Sequence, residues 1–413
     1  MHNDNQIFLY DLPFLNKLKY TIIIIIRRKN IKMEGYKMNI LIAPDSFKGS
    51  LSAKDFCFHA EKAIKSFNSN INTIKVPLAD GGEGTTQAMV LNTDGDFIQC
   101  EVTNPIGLKI EATFGILGDG ETAVIEMAEA SGLTLIDEKK RNPWLTTTYG
   151  TGELIKKALD LNVKKIILGI GGSATNDGGA GMLQALGFKL LNKNGENIKN
   201  GAKGINELKY IDISNKDKRL DEVEFLIACD VNNPLYGKNG AAYVYGPQKG
   251  ADKKMVEDMD EALKNFSKII INTFDKDVSN IPGAGAAGGL GAGLLAFLNA
   301  NLKPGFEIIS EEIKLEKIFK ENKIDLLITG EGEMNYQSIN GKLPVEISKL
   351  AKKYGVKTVS VVGNMGYEFE KVYQHGVDAV FSITSGPMSL SESIENTGYL
   401  VEKVISNIIR LLY

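Results

Sequence analysis

Four short stretches concentrate acids, hydroxyls, lysine and glycine at spacings suited to handling an anion. In residues 168–181 (LGIGGSATNDGGAG), an apolar β-branched run breaks into glycines and small polar groups before helical spacing resumes near Ala180. Gly169, Gly171 and Gly172 permit close backbone approach. Successive N–H groups at such a turn, added to the positive end of the following helix, make a place for phosphate. Ser173, Thr175, Asn176 and Asp177 add two hydroxyls, an amide and a carboxylate. Residues 76–86 (VPLADGGEGTT) set Asp80 and Glu83 among Gly81, Gly82 and Gly84, a loop suited to Mg²⁺ held partly by carboxylate and partly by nucleotide phosphate. Residues 43–50 (APDSFKGS) offer Asp45, which could take a hydroxyl proton, with Ser46 and Lys48, a point charge for phosphate or a small carboxylate. Residues 328–333 (ITGEGE) place Glu331 beside glycines at the end of a further strand. Each stretch alone could be an ordinary turn, but several acid- and glycine-bearing loops on one sheet edge converge on one crevice.

Other chemistries are harder to assemble. Only three histidines occur, so Ser-His-Asp, Cys-His and multi-histidine metal sites lack parts. His59 sits in a helical pattern and reads as structural. There is no G-x-x-x-x-G-K-[ST] sequence. Residues 283–288 fit G-x-G-x-x-G but follow a polar segment rather than a strand. Residues 169–174 fit the looser G-x-G-x-x-A after a strand, which keeps an NAD-dependent oxidoreductase as an alternative. No strand ending in an acidic ribose ligand follows about 20 residues on, where FKLLN stands instead.

These loops need strands to hold them. Residues 39–43 read as a strand, 52–67 as a helix entered through a Ser52/Asp55 capping pattern, and 71–78 as a second strand, making one βαβ unit. From 97 to 127, three consecutive strand signals separated by Gly-rich turns indicate a mixed sheet, followed by a helix after Thr151 and a buried strand at 223–229. Beyond Pro282, strands at 324–329, 357–362 and 377–383 alternate with helices at 285–298, 345–354 and 390–412. The expected class is therefore α/β with two domains. A parallel-sheet domain comes from residues 38–88 and 283–413, and a mixed-sheet α/β domain at 89–282 is inserted within it.

At 413 residues, 43% hydrophobic and net charge −3, the chain gives no electrostatic case for nucleic acid or an anionic membrane, and a small-molecule partner is expected. Cys57, Cys100 and Cys229 lie far apart and suit a reducing cytoplasm. Residues 1–37 differ in composition and read as an appendage, either upstream of a true start at Met38 or as a β-prone surface segment. Their apolar run at 22–26 is too short to span a bilayer.

Together, APDSFKGS, ADGGEGT, AVIEMAEASGL, RNPWLTTTYGTGELI, GIGGSATNDGGAGMLQALG, ACDVNNPL, YGPQKGA, GAGAAGG and ITGEGEMNYQS resemble the bacterial glycerate kinases of the second structural class, from Met38 nearly to Tyr413. That resemblance implies transfer of phosphate from ATP, with a divalent cation, to D-glycerate, commonly at the 2-hydroxyl, and a flavodoxin-like domain around an inserted one. The expected protein is cytoplasmic and a monomer or homodimer. Under this reading Gly171, Gly172, Ser173 and Thr175, with Gly81, Gly82 and Glu331, bind nucleotide. Asp177 or Asp80 accepts the hydroxyl proton, and Asp80 and Glu83 hold Mg²⁺. Lys48 and Arg141, with Asp45, Ser46 and Asn176, face the substrate or the transferred group. One loop departs from the family's GEGRLDxQS: Glu333, Met334 and Asn335 stand for Arg, Leu and Asp. A non-catalytic metabolite-binding relative is the reading that this departure would favour.

Overall fold

The computed structural model describes residues 38–412, so the reading of residues 1–37 lies outside the described residues. Thirteen strands are present among them. They are β1 (Asn39–Ile42), β2 (Asn72–Lys75), β3 (Asp96–Thr103), β4 (Lys109–Ile116), β5 (Thr122–Glu126), β6 (Lys165–Gly169), β7 (Lys189–Leu191), β8 (Tyr210–Asp212), β9 (Glu224–Ala228), β10 (Asn301–Lys303), β11 (Leu326–Met334), β12 (Lys357–Met365) and β13 (Ala379–Ser382).

Strands β13-β12-β11-β1-β2 form one sheet in that order, with every pairing parallel. This is the flavodoxin-like order, and the strand direction of winding reverses between β1 and β11, where open α/β sheets bind ligands. Ile40, Leu41 and Ile42 are fully buried, as a parallel strand covered on both faces requires. The helix Ala53–Phe67 is capped by Ser52, whose hydroxyl accepts from the Asp55 amide and donates to the Asp55 carboxylate. It buries Phe56, Cys57, Ala60, Ala63 and Ile64. His59 Nδ1 sits 2.6 Å from Glu402 on the packed helix Thr397–Leu412, a structural role as expected. The expected helix at 390–412 is two helices, Leu390–Glu395 and Thr397–Leu412, parted at Asn396.

Strands β10-β9-β6-β5-β4-β3 form the second sheet, antiparallel at β3-β4-β5 and parallel from β5 to β10. Alternation sends its side chains to two cores. Ile166, Leu168, Ile125, Phe225 and Ile227 pack beneath the helices Tyr149–Asp160, Ala180–Ala185, Lys253–Phe274 and Ala286–Phe297. Val124, Ile167 and Leu226 face the other way, into a core shared with Leu41, Ala43, Val76 and Leu327 of the parallel sheet. One apolar layer therefore fixes the two sheets against each other.

The expected boundary at residue 282/283 does not coincide with the division between sheets. The helix Ala286–Phe297 buries its apolar residues in the core of the mixed sheet, and β10 extends that sheet by pairing with β9. The small β7/β8 hairpin and the 22-residue helix Lys253–Phe274 join the same domain. No helix among the described residues is long and apolar enough to cross a membrane.

Candidate active site

Three acid-bearing loops leave the carboxyl ends of β1, β2 and β11. Asp45 follows β1, is 3% exposed, and accepts its neighbour Ser46 N–H at 2.7 Å. Burial, with Asp80 and Glu331 nearby, pushes its carboxyl up to about 7 against the opposing influence of Lys48. Glu331 is likewise raised to about 7 by burial, while Lys342 at 3.7 Å and the Ser338 hydroxyl at 3.1 Å hold its charge. Asp80 is the more open member. Its Oδ1 accepts the Gly82 amide at 3.1 Å, and its Oδ2 lies 3.9 Å from Lys48 Nζ.

The loop after β6 approaches from the mixed sheet, and glycines let the two backbones meet. A Cβ on Gly169 would stand 2.6 Å from Gly81 O, and one on Gly171 would stand 3.2 Å from Gly82 Cα. Between the loops lies a cavity of about 460 Å³. It brings together Lys48, Asp80, Gly81, Gly82 and Glu83 on one side with Gly171, Gly172 and Ser173 on the other. Gly172 takes φ +71°, and its carbonyl accepts from Leu133 while the Ala174 amide donates to Ser131. Among the described residues, Gly171, Gly172 and Ser173 donate no backbone hydrogen bond, which leaves three N–H groups without a partner in residues that line the cavity. A second cavity of about 310 Å³ shares the Lys48 and Glu83 wall and is lined by Ser46, Ser50, Ser52 and Gln87.

Asp177, expected with Asp80 as a candidate base, lies apart from the cavity lining. It is fully buried and does not line the cleft. Its Oδ2 accepts from Thr148 N (2.9 Å), Thr148 Oγ1 (2.9 Å) and Gly181 N (3.2 Å), and Oδ1 accepts from Gly179 N (3.1 Å). Burial raises its carboxyl while these four bonds hold its charge. The positive end of the helix Ala180–Ala185 is thus occupied by the protein's own carboxylate, and the free amides lie earlier, at residues 171–173. Thr175 and Asn176 are also fully buried behind the loop, with Thr175 Oγ1 and both amide atoms of Asn176 lacking a partner in the chain. Arg141 packs against the turn at Gly250 and does not line the cleft.

Lys249 is a group that residue spacing did not single out. It lines the cleft, and its Nζ donates to Ser173 Oγ and Thr175 O, both at 2.7 Å. Its signal was the YGPQKGA run, in which a proline turn ending at Gly250 (φ +95°) aims a lysine inward. Asp230, Tyr245 and Gln248 also line the cavity. Asp230 accepts the Gly305 amide at 2.9 Å, and burial beside Asp80 raises it to about 6. In the divergent loop, Glu333 is held by Asn335 Nδ2 (2.8 Å) and Asn364 Nδ2 (3.1 Å), a self-contained set that holds its carboxyl below the usual range.

No cluster of three or more His, Cys, Asp or Glu side chains among the described residues is arranged to hold a metal alone. The cleft instead presents the carboxylates of Asp80, Glu83 and Asp230 around a space large enough for phosphate. That donor set fits a cation whose remaining ligands are phosphate oxygens and water.

Comparison with known proteins bears on this geometry. The model of the glycerate kinase family matches residues 40–413. A glycerate kinase from Halalkalibacterium halodurans is 48% identical over 89% of this chain and 97% of its own. A glycerate 2-kinase from Escherichia coli K12 is 48% identical over 86% of this chain and 93% of its own. A solved structure from Salmonella typhimurium LT2, assigned as glycerate kinase 2, superposes with a TM-score of 0.82 at 44% identity, covering 91% of this chain and 98% of that one.

Proposed function

Since the chain belongs to the glycerate kinase family, we propose that this cleft transfers the terminal phosphoryl group of ATP to D-glycerate, giving 2-phosphoglycerate. The observation that carries the reading is the meeting of three unpartnered amides, at Gly171, Gly172 and Ser173, with the Asp80–Lys48 pair across one cavity.

Phosphoryl transfer needs positioning and charge neutralisation more than covalent chemistry. The larger cavity takes the nucleotide, whose phosphates lie against the amides at 171–173. The smaller cavity takes glycerate, with Lys48 facing its carboxylate and the hydroxyls of Ser46 and Ser50 completing the wall. Lys48 and Glu83 line both cavities, so the two ligands meet at this shared wall, with Asp80 beside it in the larger cavity. Asp80 accepts the proton of the attacking hydroxyl, with Lys48 Nζ 3.9 Å from its Oδ2. Glu83 and Asp230, which line this cavity, would hold Mg²⁺ together with phosphate oxygens, and the ion would supply charge neutralisation when bound. Asp45 and Glu331 lie behind Asp80 and shape its electrostatic surroundings rather than touching the ligand.

The test is an ADP-release assay with MgATP, with and without D-glycerate. ADP formed only when D-glycerate is present supports the reading. Thermal stabilisation by both ligands without ADP would identify a non-catalytic binding relative.

A further inference from the structure

Lys249 is 2% exposed, yet no carboxylate lies at ion-pair distance among the described residues. Removing an ammonium from water is expensive unless hydrogen bonds or a counter-charge compensate. Its two bonds go to the loop that carries the free amides: one to the Ser173 hydroxyl, the other to the Thr175 carbonyl. Burial pushes this ammonium down to about 7, and among the described residues the opposing charge is Asp177, which clamps the far end of the same loop to Thr148 and to the helix Ala180–Ala185. Residues 173–177 are therefore gripped by two buried opposite charges that do not touch. Because Ser173 Oγ accepts from the lysine, its own O–H is free to donate into the cleft that Ser173 lines. An ammonium has three donors, and two are used within the chain.

We propose that Lys249 is a positioning residue of the nucleotide site: its ammonium fixes Ser173 as a hydroxyl donor toward the phosphate chain of a nucleoside triphosphate. The same ammonium places positive charge behind the amides of residues 171–173. The assignment rests on the reading of the larger cavity as the ATP site. It accounts for a buried lysine that donates only to neutral acceptors, an arrangement that is costly for the empty protein and compensated when a polyanion binds in front of it.

The experiment uses the full chain and four proteins: wild type, Lys249→Met, Ser173→Ala and the double variant. MgATP affinity is measured by calorimetry without glycerate, and KM for each substrate by ADP release. Lys249→Met should weaken ATP binding and raise its KM by about tenfold or more, the scale of a lost charge-assisted hydrogen bond. KM for D-glycerate should change by less than about twofold, because the lysine faces only the nucleotide's loop. Ser173→Ala should shift ATP affinity in the same direction by a smaller factor. The double variant should be no worse than Lys249→Met, since the lysine acts through the serine. An unchanged ATP affinity in folded Lys249→Met, an equal rise in both KM values, or additive losses in the double variant would each overturn the assignment. Should Lys249→Met not fold, Ser173→Ala decides alone: weakened ATP binding supports the proposal and unchanged binding overturns it. Wild type that binds MgATP but releases no ADP with D-glycerate would sink the proposed function while leaving this assignment to the calorimetry.

Discussion

Lys48 Nζ stands 3.9 Å from Asp80 Oδ2 where the loops after β1 and β2 enter the cleft, and it is the only ion pair there formed by two cleft-lining residues among the described residues. The pair sets the proposed general base, Asp80, beside a lysine in the cleft lining. Asp80→Asn should lower kcat by roughly 10²–10⁴, the usual contribution of a general base, with little change in thermal midpoint because the side chain is partly open. Retention of near-normal kcat by Asp80→Asn would move the base elsewhere.

Asp177 should behave oppositely. Four donors converge on its buried carboxylate, so Asp177→Ala leaves N–H groups and the Lys249 charge without their partner. The expected result is a stability loss of about 3 kcal/mol or more, seen as a lower denaturant midpoint. A stable Asp177→Ala protein with selectively abolished turnover would show that the residue acts on substrate after all.

Much of this was legible beforehand, and the failures have physical causes. Glycine–acid loops after apolar runs marked the carboxyl edge of the parallel sheet, and its inner strands β1, β11 and β12 were readable because buried parallel strands carry continuous apolar runs. The burial of Asp177 was not legible, because a carboxylate next to glycines has the same local sequence whether it faces a cavity or accepts from the turn of its own helix. Lys249 was missed because one lysine in a turn carries no periodic signal, and its partners lie more than 70 residues away. The sheet joined by the segment after Pro282 was not legible, because Pro282 marks a change of local pattern whereas sheet membership follows from the later pairing of Asn301–Lys303 with β9.

Glu126 supplies a pH signature. At 8% exposure it accepts the Gly84 and Thr86 amides at 3.3 and 2.8 Å, tying the Asp80 loop and the helix Thr85–Thr93 to β5. Burial is the largest influence on it, and its carboxyl is raised from 4.5 to about 7. A raised carboxyl means that the folded protein binds more protons than the unfolded chain between those values. Stability therefore falls as pH rises from about 4.5 to about 7 and is flat above, by an amount on the order of 3 kcal/mol from this group. Thermal midpoints recorded across that window should decline less steeply in Glu126→Gln than in wild type. Parallel profiles would contradict the assignment.

Gly305 tests the close approach of the loops. A Cβ there would lie 2.1 Å from Asp80 O and 2.9 Å from Gly81 Cα, and neither backbone atom can yield without shifting the loop. Gly305→Ala should cost about 1–3 kcal/mol and reduce kcat, because the displacement falls on Asp80. Gly107→Ala, at a turn where nothing lies within 4 Å, serves as the control for backbone strain alone, its φ being +88°. Equal kcat in the two variants would show that Asp80 placement does not depend on this packing.

Under the proposed function, phosphate goes to the 2-hydroxyl of D-glycerate. Phosphorus NMR of a reaction containing the full chain, MgATP and D-glycerate reads this directly. Attachment at C2 gives a phosphomonoester signal split by a single proton, growing in step with ADP, and that is the predicted result. A signal split by two neighbouring protons, from phosphate at the 3-hydroxyl, would contradict the proposed placement, and absence of any D-glycerate-dependent phosphomonoester would contradict the proposed reaction.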